Sequence, residues 1–418
     1  MADRSQNLEG GTGRQGIRSL VFAVFAIGLA TLGTGSAAGQ SVSAAAYKQI
    51  LVAEEALQNQ DVERALAVLE KLINNSSRPY TRAVALELMS FGYAARGDYE
   101  RAAQALQDVL AQDALGSRAR RAVQFNLARM FLIADDTARG LETLKLWFDG
   151  AEKPSANAYS LLAQAYIRLP DYGEALTPAQ KAVDLSKEPD QDKYQLLVAV
   201  HYELGNIGLM AETLRKMVSF WPGRARYWKQ LGWAYEMLED YAAALTVVEL
   251  AHKKGHLESE AELQRLAHLY LHEGVPIRAA QILETGIDDG RIAATGDNLM
   301  LLGDTLARAE ETPVALRKLE QAAVLKNDVA LYSRLASSYL AHEQWNQAAT
   351  AARNAVRLGG PGGRGQPLIM LGIATYQSGD LAASKKAFVK AASLEKVGET
   401  ARKWLVQISS RQEAERRE

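Results

Sequence analysis

The chain has 418 residues, 48% of them hydrophobic, with 48 basic and 49 acidic side chains and a formal net charge of -1. That balance excludes a global electrostatic pull toward nucleic acid or an anionic membrane. With no cysteine in the chain, disulfides, thiolate metal sites, a cysteine nucleophile and a lipid-modified cysteine anchor are excluded as well.

The first element in chain order is an export signal. Arg14 and Arg18 precede an apolar run from Leu20 to Leu32, and small residues follow, with Ser36 and Ala38 placed for cleavage after Ala38. A basic region, a short apolar core and a small-x-small site make a secretory signal peptide. The run is shorter than the roughly 20 residues of a spanning helix. Residues 1–38 are therefore read as a signal peptide removed on export, without stable membrane insertion afterwards. The alternative is an uncleaved inner-membrane anchor. Residues 39–45 are read as a flexible N-terminus.

Helical repeats follow over 46–398. Alanine and leucine dominate and favour helix throughout. The stretch "YWKQLGWAYEMLEDYAAAL", 227–245, sets Trp228, Leu231, Gly232, Tyr235 and Ala244 at fixed offsets. The small position of Gly232, numbered slot 8, recurs at Ala53, Ser90, Ala128, Ala163, Val198, Ala267, Gly303, Ala336 and Gly372. Slot 11 carries Tyr93, Phe131, Tyr166, Tyr235, Tyr270 and Tyr339, with His201, Leu306 and Thr375 as departures. Slot 20 carries Ala65, Ala102, Gly140, Ala175, Ala244, Ala279, Ala315 and Ala348. Small residues at slots 8 and 20 let two helices approach closely, while large ones at slots 4, 11 and 24 fill the space beside them.

Turn signals separate the paired helices: "RGDY" at 96–99, "LGNI" at 204–207, "LEDY" at 238–241 and "SGDL" at 378–381. Their glycines suit a helix stop with positive φ, and Pro189 and Pro222 fall near repeat ends. The pattern predicts twenty helices in ten pairs. The segment "LGGPGGRGQP", 358–367, connects repeats nine and ten. Residues 399–418 are read as a capping helix over 399–410 and a frayed charged tail.

The W-x2-L-G-x2-Y run and the following alanine identify the chain as resembling the tetratricopeptide repeat family. That resemblance implies an all-α, right-handed superhelical solenoid. It also implies that the first helix of each pair lines a concave groove where extended or helical peptides dock. Slots 2, 5, 9 and 12 form a stripe distinct from the packing slots. With slot 13 the stripe carries Phe125, Arg129, Gln164, Arg168, Tyr202, Arg226, Lys229, Trp233, Gln264, His268 and His272, rich in the aromatic and arginine side chains that dominate binding hot spots. Trp228 is assigned to packing, because its slot recurs, and Trp233 to the groove, because slot 9 varies.

Other chemistry is sparse. His252 and His256, and His268 and His272, stand four apart, a spacing that can place two imidazoles on one helix face, but no third ligand is evident and they are read as solvated or rim histidines. "GGPGGRG" follows a helix rather than a strand, so it is read as a connection and not a phosphate loop. "RARR", 118–121, is too short for a nucleic-acid claim. No enzyme, catalytic residue, cofactor or metal is expected.

Over 190–408 the order of "FWPGRARYWKQLGWAYEMLEDYAAALTVVELAHKKGHL", "AELQRLAHLYLHEGVPIRAAQILETGI" and "NLMLLGDTLARAEETPVALRKLEQAA" is similar to exported tetratricopeptide proteins accompanying TonB–ExbB–ExbD systems of Gram-negative bacteria. That resemblance implies a periplasmic adaptor assisting energy transduction to outer-membrane transporters, with TonB, ExbB, ExbD or an outer-membrane receptor as partner. The GGPGGRG segment and Thr375 depart from a clean repeat. One alternative is a scaffold for another envelope assembly, such as pilus, secretin or exopolysaccharide export. An alternative of another class is a metal or small-molecule sensor on the His268 and His272 face.

Overall fold

A computed structural model describes residues 42–360 and 363–415. The signal-peptide assignment to residues 1–38 lies outside the described residues. Among the described residues the chain is all-α and divides into two units at Phe220 and Trp221, each a solenoid of tetratricopeptide-type helix–turn–helix repeats. The first holds α1 (Ala44–Gln58), α2 (Val62–Asn75), α3 (Pro79–Ala95), α4 (Tyr99–Ala111), α5 (Ser117–Ile133), α6 (Thr137–Asp149), α7 (Ala156–Arg168), α8 (Tyr172–Asp184), α9 (Gln191–Glu203) and α10 (Ile207–Phe220). The second holds α11 (Ala225–Met237), α12 (Tyr241–Lys253), α13 (Glu260–His272), α14 (Pro276–Asp288), α15 (Gly296–Arg308), α16 (Thr312–Lys326), α17 (Val329–Ala341), α18 (Trp345–Leu358), α19 (Gly365–Gln377), α20 (Leu381–Ala392) and α21 (Gly398–Glu415). Odd-numbered helices are the first of each pair. The described residues thus contain ten pairs and a terminal helix.

Packing follows the slots. The slot 8 residue is buried in every pair, from Ala53 and Ser90 to Gly372. Against it stands slot 24 of the second helix, where Leu69, Leu106, Leu144, Leu214, Leu283 and Phe388 are among the largest fully buried side chains. The approach leaves no room for a larger slot 8 residue. A Cβ on Gly232 would lie 2.6 Å from Val248 Cγ2, and one on Gly372 would lie 2.6 Å from Phe388 Cζ. Removing such a leucine costs about 2–5 kcal/mol elsewhere in proteins, so these knobs supply much of each pair's stability. The departures at slot 11 are buried too, and the Thr375 hydroxyl is satisfied by donating to Leu371 O at 2.7 Å.

Each turn has two parts. Asp61, Asp98, Asp136, Asp171, Asp240 and Asp380 cap second helices by accepting from the backbone N–H three residues on. The residue before the cap is left-handed. Glycine takes that place at Gly97 (φ 81°) and Gly379 (φ 87°), as the sequence suggests. Gln60, Asp135, Glu239, Glu310 and Glu343 take it elsewhere, at φ of 63°, 65°, 57°, 62° and 56°. At these positions the cap and the tertiary packing outweigh a left-handed cost of roughly 1–2 kcal/mol.

One further feature differs from the sequence expectation. The cap helix continues to Glu415 instead of fraying from Arg411. Arg411 lies over the Tyr376 ring at 5.0 Å, and Trp404 stacks on Phe388 at 5.4 Å, so the last turns are held by aromatic contacts.

First helices also meet first helices of the adjacent pair, as α1 meets α3, α7 meets α9 and α17 meets α19. At these junctions their outward slots are brought side by side.

Candidate functional site

In the second unit α11, α13 and α15 carry the stripe. Trp228 is 5% exposed and Trp233 is 40% exposed, although they share one helix. The Trp228 indole N–H donates to Pro222 O at 2.8 Å, and His256 Nε2 lies 3.0 Å from the same carbonyl. Trp228 is core with its polar atom satisfied, while Trp233 leaves much of its ring accessible. Arg226 is exposed about two turns before Trp233.

Lys229 and Gln264, also assigned to the groove, have polar atoms engaged between repeats. Lys229 Nζ pairs with Glu262, which also accepts from the backbone N–H of Glu258 (3.0 Å) and Ser259 (3.1 Å). Burial pushes the Glu262 carboxyl up, but the bonds from Lys229, Ser259 and Glu258 together outweigh it and bring it down to about 2. Gln264 Nε2 donates to Asn298 Oδ1 at 2.7 Å and to Glu260 Oε1 at 3.2 Å. Asn298 is buried and donates to Glu260 Oε1 (2.9 Å) and Ala293 O (2.8 Å). The network ties α13 to α15, so Lys229 and Gln264 act as struts. Arg265 adds another, donating to Glu236 Oε1 at 2.7 Å.

His268 and His272 are exposed and line an open cleft of about 360 Å³ with Leu271, Leu301, Asp304, Thr305 and Arg308. The His272 ring stacks on Tyr241 at 3.9 Å, and its Nδ1 lies 3.0 Å from Glu273 Oε1. Asp304 pairs with Arg334 of α17. Among the described residues no three histidine or carboxylate side chains converge as a metal-ligand set.

In the first unit α5, α7 and α9 carry the stripe. Phe125 is half-buried and packs on Trp147 at 5.0 Å. The ladder continues from Trp147 to Phe148 and from Phe148 to Tyr159, each at 5.1 Å. Arg129 is partly buried, and desolvation pushes its guanidinium below its usual range. Arg168 Nη1 donates to Leu132 O near the end of α5. Gln164 is exposed and bonds Ser160 Oγ at 3.3 Å, and Tyr202 is 40% exposed.

Slot 9 summarises the arrangement. Its neighbour at slot 8 is buried in all ten pairs, whereas Phe91, Arg129, Gln164, Ala199, Trp233, His268, Asp304, Ser337 and Ile373 all keep part of their surface accessible. Glu54 alone is buried, and that burial pushes its carboxyl up. Sequence reasoning missed Trp147, which is half-buried at slot 27, where Leu72, Val109, Ala182, Met217, Ala251, Gly286, Ala322, Ala355 and Ala391 are all buried. It also missed the struts, which depend on which charges face one another across repeats.

No family model and no curated protein matches the chain. Solved structures do resemble it. The MamA protein is 23% identical over 41% of this chain and 91% of its own, with a TM-score of 0.37. A tetratricopeptide repeat protein from Parabacteroides merdae is 14% identical over 64% of this chain and 99% of its own, with a TM-score of 0.40. YrrB, described as a tetratricopeptide protein with an unusual peptide-binding site, is 15% identical over 40% and 84%, with a TM-score of 0.35. These likenesses are too distant to carry residue roles. Among the described residues no helix is long and apolar enough to cross a membrane.

Proposed function

We propose that this protein is a non-enzymatic scaffold whose first helices hold an extended segment of a partner protein. The observation that carries the reading is the contrast between slots 8 and 9: an invariant buried position beside a variable accessible one, repeated along each unit. Small residues at slot 8 make the framework uniform, so different side chains can be displayed at slot 9 at little cost to folding. Trp233, with 40% of its surface accessible, supplies the kind of aromatic anchor that dominates hot spots. His268 and Asp304 continue the row over the cleft beside it in sequence order.

The finer version of the reading is a periplasmic adaptor of a TonB–ExbB–ExbD system. It is supported by the signal-peptide pattern of residues 1–38 and by the resemblance of 190–408 to exported proteins accompanying such systems. Affinity capture from crosslinked cells tests it. Recovery of TonB, ExbB, ExbD or an outer-membrane receptor by the wild type, with loss in Trp233→Ala, is the expected result. Capture of none of these removes the TonB version. Capture insensitive to Trp233→Ala and His268→Ala removes the groove.

A further inference from the structure

Trp147 stands at slot 27, on the side of the second helix that meets the first helix of the next repeat. The other repeats place Leu72, Val109, Ala182, Met217, Ala251, Gly286, Ala322, Ala355 and Ala391 there, all buried, whereas Trp147 is only half-buried. The junction of α6 with α7 beside it is the loosest between consecutive repeats of the first unit. A cleft of about 360 Å³ lies there, between α5, the end of α6 and the start of α7.

Its chemistry is one-sided. Phe125 and Trp147 form an aromatic wall, with ring centroids 5.0 Å apart. Arg118, Arg121 and Lys153 stand around it, against the single carboxylate of Glu152. None of these three cations makes an ion pair among the described residues. Arg120, by contrast, is paired with Asp113 at 3.1 Å and points its charge elsewhere. The arginine run at 118–121 thus divides into one residue that braces the turn and two that face the cleft. Unpaired cations beside aromatic faces attract carboxylates while offering apolar surface to the chain that bears them.

We propose that this cleft binds an acidic segment of a partner protein, an apolar side chain resting on Phe125 and Trp147 and flanking carboxylates on Arg118, Arg121 and Lys153. The proposal rests on the scaffold reading and adds a second contact, chemically distinct from the row around Trp233. Charge complementarity sets the occupant, and the cleft volume limits the apolar anchor to one side chain.

Fluorescence anisotropy of the full chain tests the proposal. The probe is a fluorescein-labelled peptide with one phenylalanine among aspartates and glutamates, and its control replaces the acids with lysine. The acidic probe should bind, weaken with added salt, and exclude the control. Arg121→Glu should weaken it by about tenfold or more, with an unchanged melting temperature. Trp147→Ala should weaken it as well by removing half of the aromatic wall. If Trp147→Ala fails to fold, Arg118→Glu with Arg121→Glu decides alone, since both side chains reach solvent. Absence of binding, equal binding by Arg121→Glu, or complete displacement by millimolar inorganic phosphate would overturn the proposal, the last leaving a simple anion site. Partner capture that depends on Trp233 while the acidic probe does not bind removes this cleft and leaves the groove standing. Probe binding without such capture does the reverse.

Discussion

Two tryptophan-bearing regions use the same repeat for different ends. Around α11 to α13 the slots are filled as the pattern demands: Trp228 is core, Ala251 is buried at slot 27, and Lys229, Glu262, Arg265 and Glu236 pair across repeats. Around α5 to α7 the slot 27 residue is Trp147, the rings of Phe125 and Phe148 gather beside it, and Arg118, Arg121 and Lys153 stay outside any ion pair among the described residues. The backbone pairs are alike. A half-buried indole at slot 27, with the charges around it, separates a region with an accessible aromatic cleft from one whose slots are filled by packing and ion pairs. A repeat framework tolerates such local differences because each pair needs only its neighbours for stability.

The comparison can be broken most sharply at Trp228. Trp228→Ala should destabilise the second unit by about 3–5 kcal/mol, since the indole is buried and its N–H is bonded. Urea denaturation measures this, and a loss below about 1 kcal/mol would place Trp228 outside the core. Next in size is an exchange at slot 27. Ala251→Trp puts an indole at a slot 27 position that is fully buried and should cost about 1–3 kcal/mol by overpacking. A neutral effect would show that this junction accepts an indole as that of Trp147 does.

A smaller effect comes from the strut at Glu262. Its folded-state carboxyl is lowered from 4.5 to about 2, so it contributes stability that is present above pH 4.5 and lost as pH falls toward about 2. Wild type and Glu262→Gln should therefore differ in melting temperature near neutral pH and converge over that acid range. Parallel curves would mean the carboxylate is not held by Lys229 and the capping amides. The smallest effect belongs to Trp233→Ala, which should change stability by no more than about 0.5 kcal/mol because the ring is 40% exposed. Equal destabilisation by Trp228→Ala and Trp233→Ala would erase the distinction between packing and display.

Parts of the candidate site were readable from slot numbers alone. Trp233, His268 and Tyr202 fall on accessible surface because slot 9 or slot 12 or 13 lies off the packing face, a matter of 3.6-residue periodicity. Lys229 and Gln264 share that periodicity, yet their polar atoms are engaged by Glu262, Glu260 and Asn298. Those partners lie on α13 and α15, and their approach depends on how repeats stack. Trp147 is the largest side chain at slot 27, but Leu72, Val109 and Met217 share that slot, so its half-exposure was not legible from spacing.

What the amino-acid order determined is the framework. Recurring small residues with, in most repeats, large ones sixteen positions on specify paired helices, because local periodicity and side-chain volume suffice for that. Aspartates before the second helices fix their starts through bonds to amides only three residues away. Tertiary structure alone decided which charges became struts, which non-glycine residues accepted positive φ, and where an indole stayed half-buried beside a cleft. Each of those outcomes depends on atoms brought together from different repeats, at distances that spacing along the chain does not encode.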